Sequence, residues 1–258
     1  MSDLYKDWVQ RFAALLHEPL PVPPTGDVPA LAEPPADAPR CLLLSPHPDD
    51  ECLTGALPLR LRREAGWQVV NVAVTLGSAP ARQAARAEEL RAACARLGFA
   101  LDLPDEPPPE AIARALTVHR PQLVLMPHAR DAQPTHQRVH AWGCAAIEAI
   151  GRPVDVAFTE FWSTLERPNL LVLSDPATTA DLVAALACHE GEVARNPYHL
   201  RLPAGMADTV RRAGELVMGP GMAPPRGDFA TAYERRRFDG RQWLDAEAPR
   251  IWQLGESW

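Results

Sequence analysis

Apolar and polar positions alternate along this chain in a pattern that predicts strands and helices in turn. Residues 4–18, LYKDWVQRFAALLHE, place Leu4, Trp8, Phe12, Leu15 and Leu16 at helical spacing. From Arg40 onward the pattern repeats. CLLLS (41–45) is a short apolar run of the kind that forms a buried strand, and 52–65 carries Leu53, Leu57 and Leu61 on one helical face before Gly66. WQVVNVAVT (67–75) is β-rich, and 80–97 is a helix with Leu90, Ala93, Cys94 and Leu97 on a stripe that Gly98 closes. A short strand at 99–103, a helix at 109–119, a strand at 122–127 and a helix at 135–150 follow. Strands at 154–162 and 170–173 and a helix at 178–194 complete the regular part. Strands alternating with helices of this length predict an α/β fold: a Rossmann-like, mostly parallel sheet with helices on both faces.

Prolines divide the chain. Eight of the 28 fall within 19–39 (Pro19, Pro21, Pro23, Pro24, Pro29, Pro34, Pro35 and Pro39). Proline fixes φ and has no N–H, so this stretch is neither helix nor central strand. The expected organisation is an N-terminal helix and Pro-rich arm (1–39), a core (40–195) and a less regular C-terminal extension (196–258) packing on it. With no N-terminal domain to tether, the arm is expected to pack its helix onto its own domain or onto a neighbouring subunit of a homo-oligomer.

Composition narrows the partners. The 258 residues carry a net charge of −7 and are 6% aromatic, which argues against nucleic acid. No run approaches the length of a membrane span, and MSDLYKDWVQRF lacks the pattern of a signal peptide; a cytoplasmic protein is expected. The five cysteines form no CxxC pair and read as buried, reduced thiols. No GxGxxG, P-loop or G-x-S-x-G elbow is present.

In sheets of this kind ligands bind beyond the C-terminal strand ends, so the residues after each apolar run matter most. After CLLLS comes PHPDDE, and after QLVLMP comes HARDAQPTH. His47 with Asp49, Asp50 and Glu51 packs three adjacent carboxylates at a strand exit. That is costly unless they cap a helix or bind a cation. One His, one Asp and a second His make a three-ligand catalytic zinc set with an open position for water. His136 is the natural third ligand, and a further carboxylate, Asp49, is placed to act as general base.

PHPDDE after a Leu-rich strand resembles the first motif of the LmbE-like, PIG-L family of zinc-dependent N-deacetylases. QPTH (133–136) resembles its second motif, and TLGS (75–78), Arg86 with Glu89, LG (97–98) and ALACHEG (185–191) resemble supporting features, so the likeness spans about 40–195. It implies metal ligands His47, Asp50 and His136, with zinc, or alternatively iron, as the ion. It also implies Asp49 as base and a small-molecule, N-acylated amino sugar or related conjugate as substrate. Gln133 stands where the family has a histidine. An amide can donate to an oxyanion but cannot transfer a proton, so protonation of the leaving amine would fall to Asp49, His140 or His128.

Arg86 contacts substrate or forms an ion pair with Glu89 or a neighbouring carboxylate. Asp131 orients a ligand histidine or makes an Asx turn. His189 reads as a core histidine. RNPYHLRLP (195–203) either lines the cleft through Tyr198, His199 and Arg201 or is a solvated loop, and ERRRFDGRQW (234–243) reads as a solvated helix face. Two rivals to the deacetylase stand: a metal-dependent hydrolase of another bond, and a metal-binding protein that has lost catalysis.

Overall fold

The computed structural model describes residues 2–27, 31–245 and 248–258; Pro29 of the arm lies outside the described residues. Strands β1 (Arg40–Ser45), β2 (Gln68–Ala73), β3 (Ala100–Asp102), β4 (Leu123–Pro127) and β5 (Pro153–Thr159) run parallel. Strands β6 (Leu170–Ser174), β7 (Phe229–Asp239) and β8 (Arg250–Trp252) complete one sheet in the order β3-β2-β1-β4-β5-β7-β6-β8. The α/β expectation holds.

Pleating explains the layering. Cys41 and Leu43 of β1 face one apolar layer, and Leu42 and Leu44 face the other. The first layer packs under α3 (Ala56–Glu64), α4 (Pro80–Leu97) and α7 (Pro176–Leu186), the second under α5 (Pro108–His119) and α6 (Pro134–Ile150). Gly143 lets α6 sit close on the sheet, because a Cβ there would lie 2.4 Å from Met126 Sδ.

Two of the expected helices are each divided in the structure. The helix at 52–65 is two, α2 (Asp50–Leu53) and α3, parted at Gly55 with φ 83°. A Cβ at Gly55 would lie 2.1 Å from Thr231, so the break lets the chain pass close to β7. The helix at 178–194 likewise divides into α7 and α8 (Glu190–Arg195), with His189 at the junction.

The stretch from 196 is built into the fold. Helix α9 (Tyr198–Met218) covers β6 and β7, with Val210, Ala213 and Val217 packing on Leu171, Leu173, Ala230 and Ala232. ERRRF belongs to β7, paired antiparallel with both β5 and β6. Its arginines are spread over a strand: Arg237 pairs with Asp155 at 2.9 Å, and Arg236 lies over Trp243.

The Pro-rich arm lies along the core. Arg96 donates to the Gly26 carbonyl at 2.9 Å, Arg62 to Ala32 at 2.8 Å and Gln68 to Pro35 at 2.7 Å. Helix α1 (Ser2–Leu15) does not follow it down: Leu4, Tyr5, Trp8, Val9 and Leu15 each stay more than half exposed. Docking of this helix on its own domain is therefore not what the structure shows. Among the described residues no helix is long and apolar enough to cross a membrane.

The C-terminal strand is held by a buried cation. Arg60 is 1% exposed, donates to the carbonyls of Leu173, Trp252 and Gln253, pairs with Glu64, and stacks 3.9 Å from the Trp252 ring. Arg60→Ala would strand three carbonyls and open a cavity. The expected loss is about 3–5 kcal/mol, read from urea unfolding.

Candidate metal centre

The strand order reverses between β1 and β4, and this crevice is where the two motifs converge. His47 leaves β1 between two prolines, which restrict it to extended backbone. Its N–H donates to Asp50 Oδ2 at 2.8 Å, and Thr75 Oγ1 ties down the Pro46 carbonyl at 2.7 Å. His136 enters from the first turn of α6. Asp50 Oδ2 lies 3.4 Å from His47 Nδ1 and 3.5 Å from His136 Nε2. The ligating atoms of these three residues lie within 4.8 Å of one another.

The donor set fits a divalent cation. His136 is fully buried, and neither ring nitrogen has a hydrogen-bond partner. An orphaned imidazole nitrogen aimed at a buried carboxylate is what a metal ion would satisfy. Asp131, also fully buried, sits 3.5 Å from His136 Nδ1. Its other bonds come from the N–H groups of Gln133 (2.9 Å) and Trp162 (3.1 Å), so it makes the Asx turn and faces the histidine at once. Burial opposes charge on His136, but Asp131 and Asp50 outweigh it and hold its proton more tightly than in an ordinary histidine.

Asp49 has left-handed backbone, φ 112°, which costs a non-glycine residue about 1–3 kcal/mol. Its N–H donates to Glu51 Oε2 at 3.0 Å, and its carbonyl accepts from Cys52 N–H at 3.0 Å. Glu51 Oε1 is in turn 2.7 Å from His189 Nε2, with both side chains fully buried. The pair fixes the turn that aims Asp49 at the crevice. Burial lifts the Asp49 carboxyl well above the ordinary aspartate range; Asp50, Glu51 and Glu192 push the same way and Arg86 opposes them. Glu192 itself is held low, because Arg195, Arg86 and Arg82 outweigh its burial.

Gln133 caps α6. Its Oε1 accepts from the N–H groups of Thr135 and His136, which fixes the amide orientation and turns Nε2 toward His47 Nε2 at 3.3 Å. Arg86 grips the first motif rather than pairing with Glu89: Nη2 donates to the Pro48 carbonyl at 3.1 Å and lies 3.5 Å from Glu192. Gly77 permits this approach, since a Cβ there would meet Arg86 Nη1 at 2.2 Å.

These groups line a cavity of about 480 Å³ that also takes in Phe161, Trp162, Arg195, Asn196 and Tyr198. Trp162 packs edge-to-face on Tyr198 at the rim. The wall of Phe161 and Trp162 is shared with a second cavity of about 320 Å³ under α9. His47, Asp49, Asp50, Arg86, Gln133 and Tyr198 thus come together. His199 is buried and Arg201 exposed, and neither lines this cavity. His140 and His128 line a different one: His140 Nδ1 bonds the Pro127 carbonyl at 2.9 Å, and His128 bonds the Ser163 carbonyl at 3.0 Å. One helical turn past His136, the chain has already climbed out of the crevice. Glu51 with His189, and the Trp162 rim, were not assigned from sequence. The acidic run PHPDDE and the histidine in ALACHEG carried the first signal; nothing near Trp162 marked the second.

Residues 42–147 match the model of the PIG-L family, GlcNAc-PI de-N-acetylase. The likeness read from the motifs holds over that stretch. No curated protein matches the chain significantly. Among solved structures, N,N'-diacetylchitobiose deacetylase from Pyrococcus horikoshii aligns with TM-score 0.57 at 16% identity, over 82% of this chain and 88% of that one. The zinc-inhibited form of teicoplanin deacetylase Orf2 aligns with TM-score 0.57 at 17% identity, over 77% and 98%. GalB, the 4-carboxy-2-hydroxymuconate hydratase from Pseudomonas putida KT2440, aligns with TM-score 0.59 at 18% identity, over 76% and 95%. At these identities the likeness is one of fold.

Metal analysis of purified protein tests the centre. His136→Ala and Asp50→Ala should lose bound metal, and Asp131→Ala should weaken affinity roughly 10–100-fold while leaving the ligands in place. Because protons compete for a histidine that holds them tightly, affinity should fall on acidification, beginning above the pH at which an ordinary histidine protonates. Isothermal titration across that range would show it; an affinity flat with pH would contradict the assignment.

Proposed function

We propose that the chain is a zinc-dependent amidohydrolase that removes an N-acetyl or other short N-acyl group from an amino sugar or related polar conjugate. The observation that carries this reading is the placement of Asp49. A structural metal site has no need of a carboxylate held in strained backbone beside the ligand set, facing a cavity.

The ion would be held by His47, Asp50 and His136, and when bound it polarises a carbonyl and acidifies water. The rest falls to the chain's own side chains. Asp49, whose buried carboxyl binds a proton readily, takes one from the attacking water and returns it to the departing amine. The Gln133 amide N–H donates to the oxyanion as the carbonyl becomes tetrahedral. It can do so because its oxygen is already committed to the helix cap. No second acid is required in this cavity, which agrees with His128 and His140 lying outside it. Arg86 keeps the first motif in place, and Trp162 with Tyr198 offers an aromatic platform to the substrate beyond its acyl group.

The hydratase of like fold is the reason to test the bond rather than assume it. Amine release should be assayed over a panel of N-acetylated sugars and conjugates, with a hydration substrate alongside. Asp49→Asn is the informative variant. Asparagine tolerates left-handed backbone, whereas alanine at φ 112° would mix strain with lost chemistry. Asp49→Asn should keep its metal and melt near wild type, and kcat should fall about 10²–10⁴-fold. Full activity in this variant would remove the base assignment.

A further inference from the structure

The cavity under α9 borders the candidate metal centre as closely as the catalytic cavity does. The two share Leu53, Phe161 and Trp162. Leu53 ends the helical turn that begins at Asp50, and Thr54 Oγ1 donates to the Asp50 carbonyl at 2.7 Å. The Phe161 ring stands edge-on to His136 at 4.8 Å. A group held at His47, Asp50 and His136 therefore has polar space on one side and this second space on the other, with Trp162 as the divider.

The second space is apolar in character. Phe161, Leu202, Met206, Ala230 and Ala232 line it, and four of its polar side chains are already partnered. Thr54 is bonded to Asp50, Thr209 Oγ1 donates to the Gly205 carbonyl at 2.9 Å, and Thr231 Oγ1 lies 2.8 Å from the Tyr233 hydroxyl. Arg212 closes Glu160 with two bonds, at 2.9 and 3.2 Å. Little is left for a polar ligand to bond, so the space suits an apolar one.

Gly205 keeps it open. This residue lines the cavity from within α9, where glycine weakens a helix. The other glycines inside helices face a neighbour that a Cβ would strike: Met126 at Gly143, Arg82 at Gly191 and Pro225 at Gly214. At Gly205 a Cβ would meet nothing within 4 Å. Packing gives no reason for the missing side chain, and room for a ligand does.

We propose that this cavity receives the acyl chain of the substrate, so that the favoured acyl group is an apolar chain of about eight carbons rather than acetyl. This rests on the amidohydrolase reading and names the acyl half of its substrate. An amide has two substituents. The nitrogen side, an amino sugar, has hydroxyls that need partners, and Arg195, Asn196 and Tyr198 of the first cavity offer them. The carbonyl side needs none and falls to the apolar space. An engineered apolar cavity of about 150 Å³ takes up benzene. The space under α9, about 320 Å³, is roughly twice that. In hydrolysis the water oxygen bonds to the carbonyl carbon and the C–N bond breaks. The chain leaves as a carboxylate and the sugar as its ammonium form.

Amine release from N-acylglucosamines, acetyl through dodecanoyl, reads the preference. Calorimetric titration of the same compounds into the Asp49→Asn chain reads binding without turnover. Both kcat/KM and affinity should rise about threefold per added carbon and level off near octanoyl. Gly205→Phe places a ring in the cavity, and its octanoyl-to-acetyl ratio should fall about 30-fold in both readouts. Gly205→Leu should lower the ratio less, and both variants should melt no lower than wild type, since each replaces glycine inside a helix. Acetyl and octanoyl compounds handled alike would overturn the proposal, as would a ratio unchanged in Gly205→Phe. So would a gain for octyl N-acetylglucosaminide in place of the N-octanoyl compound, because the cavity would then hold the sugar's other substituent. If no compound releases amine while octanoyl binding is tight and lost in Gly205→Phe, the cavity assignment stands and the amidohydrolase reading falls.

Discussion

Everything around the crevice answers to one electrostatic problem: Asp49, Asp50 and Glu51 are consecutive, and all three are buried. Like charges this close cannot remain in a low-dielectric interior without compensation. The fold supplies a separate answer to each. Glu51 is closed off by His189, brought in where α7 ends. Asp50 stands between two imidazoles, one from its own turn and one from α6. Asp49 is left facing the cavity, with Arg86 moderating its charge and Glu192 acting against it. A cation bound by Asp50 and the histidines would add the largest compensating charge in the region. The position of α8, the crossing of Arg86 to the Pro48 carbonyl and the depth of His136 all read as parts of this compensation.

Much of this was legible in the sequence because the signals are local. Short apolar runs separated by helical stripes gave the parallel half of the sheet, and Gly98 and Gly151 mark helix ends with left-handed residues where the pattern stops. The elements that differ depend on neighbours the sequence does not announce. The stretch ERRRF looks like a solvated helix because arginines occupy successive positions. In β7 they project to both faces of a strand, and their stems and head groups find Trp243, Asp155 and the Leu244 carbonyl. Helix α9 is masked by Pro197 and Pro203, residues that usually stop a helix; here Pro197 precedes the first turn and Pro203 is tolerated inside.

The residues of the candidate metal centre were readable for the same reason, since spacing and residue type both point to a cation. The supporting residues were not. Asp131 makes a local turn that would look the same with no histidine behind it, and only the fold shows that it faces His136. His140 shares a helix stripe with His136, but periodicity says nothing of how far along its axis a helix leaves a crevice. The resemblance to a histidine-bearing motif directed attention to imidazoles near Gln133. The geometry instead shows an amide whose oxygen is spent on the cap and whose nitrogen faces His47.

The placement of β7 sets the order in which the sheet can be completed. Strands β1 to β5 are contiguous in the sheet and available once residue 159 has been made, so the crevice between β1 and β4 can take shape early. Strand β6, at 170–174, has no neighbour to pair with until β7 and β8 exist, because its partners are residues 229–233 and 250–252. For more than fifty residues of synthesis this apolar strand must wait, its backbone donors and acceptors unmet by the sheet. The same segment that looks like a tail in the sequence is thus the piece that closes the sheet over an apolar strand left open until then.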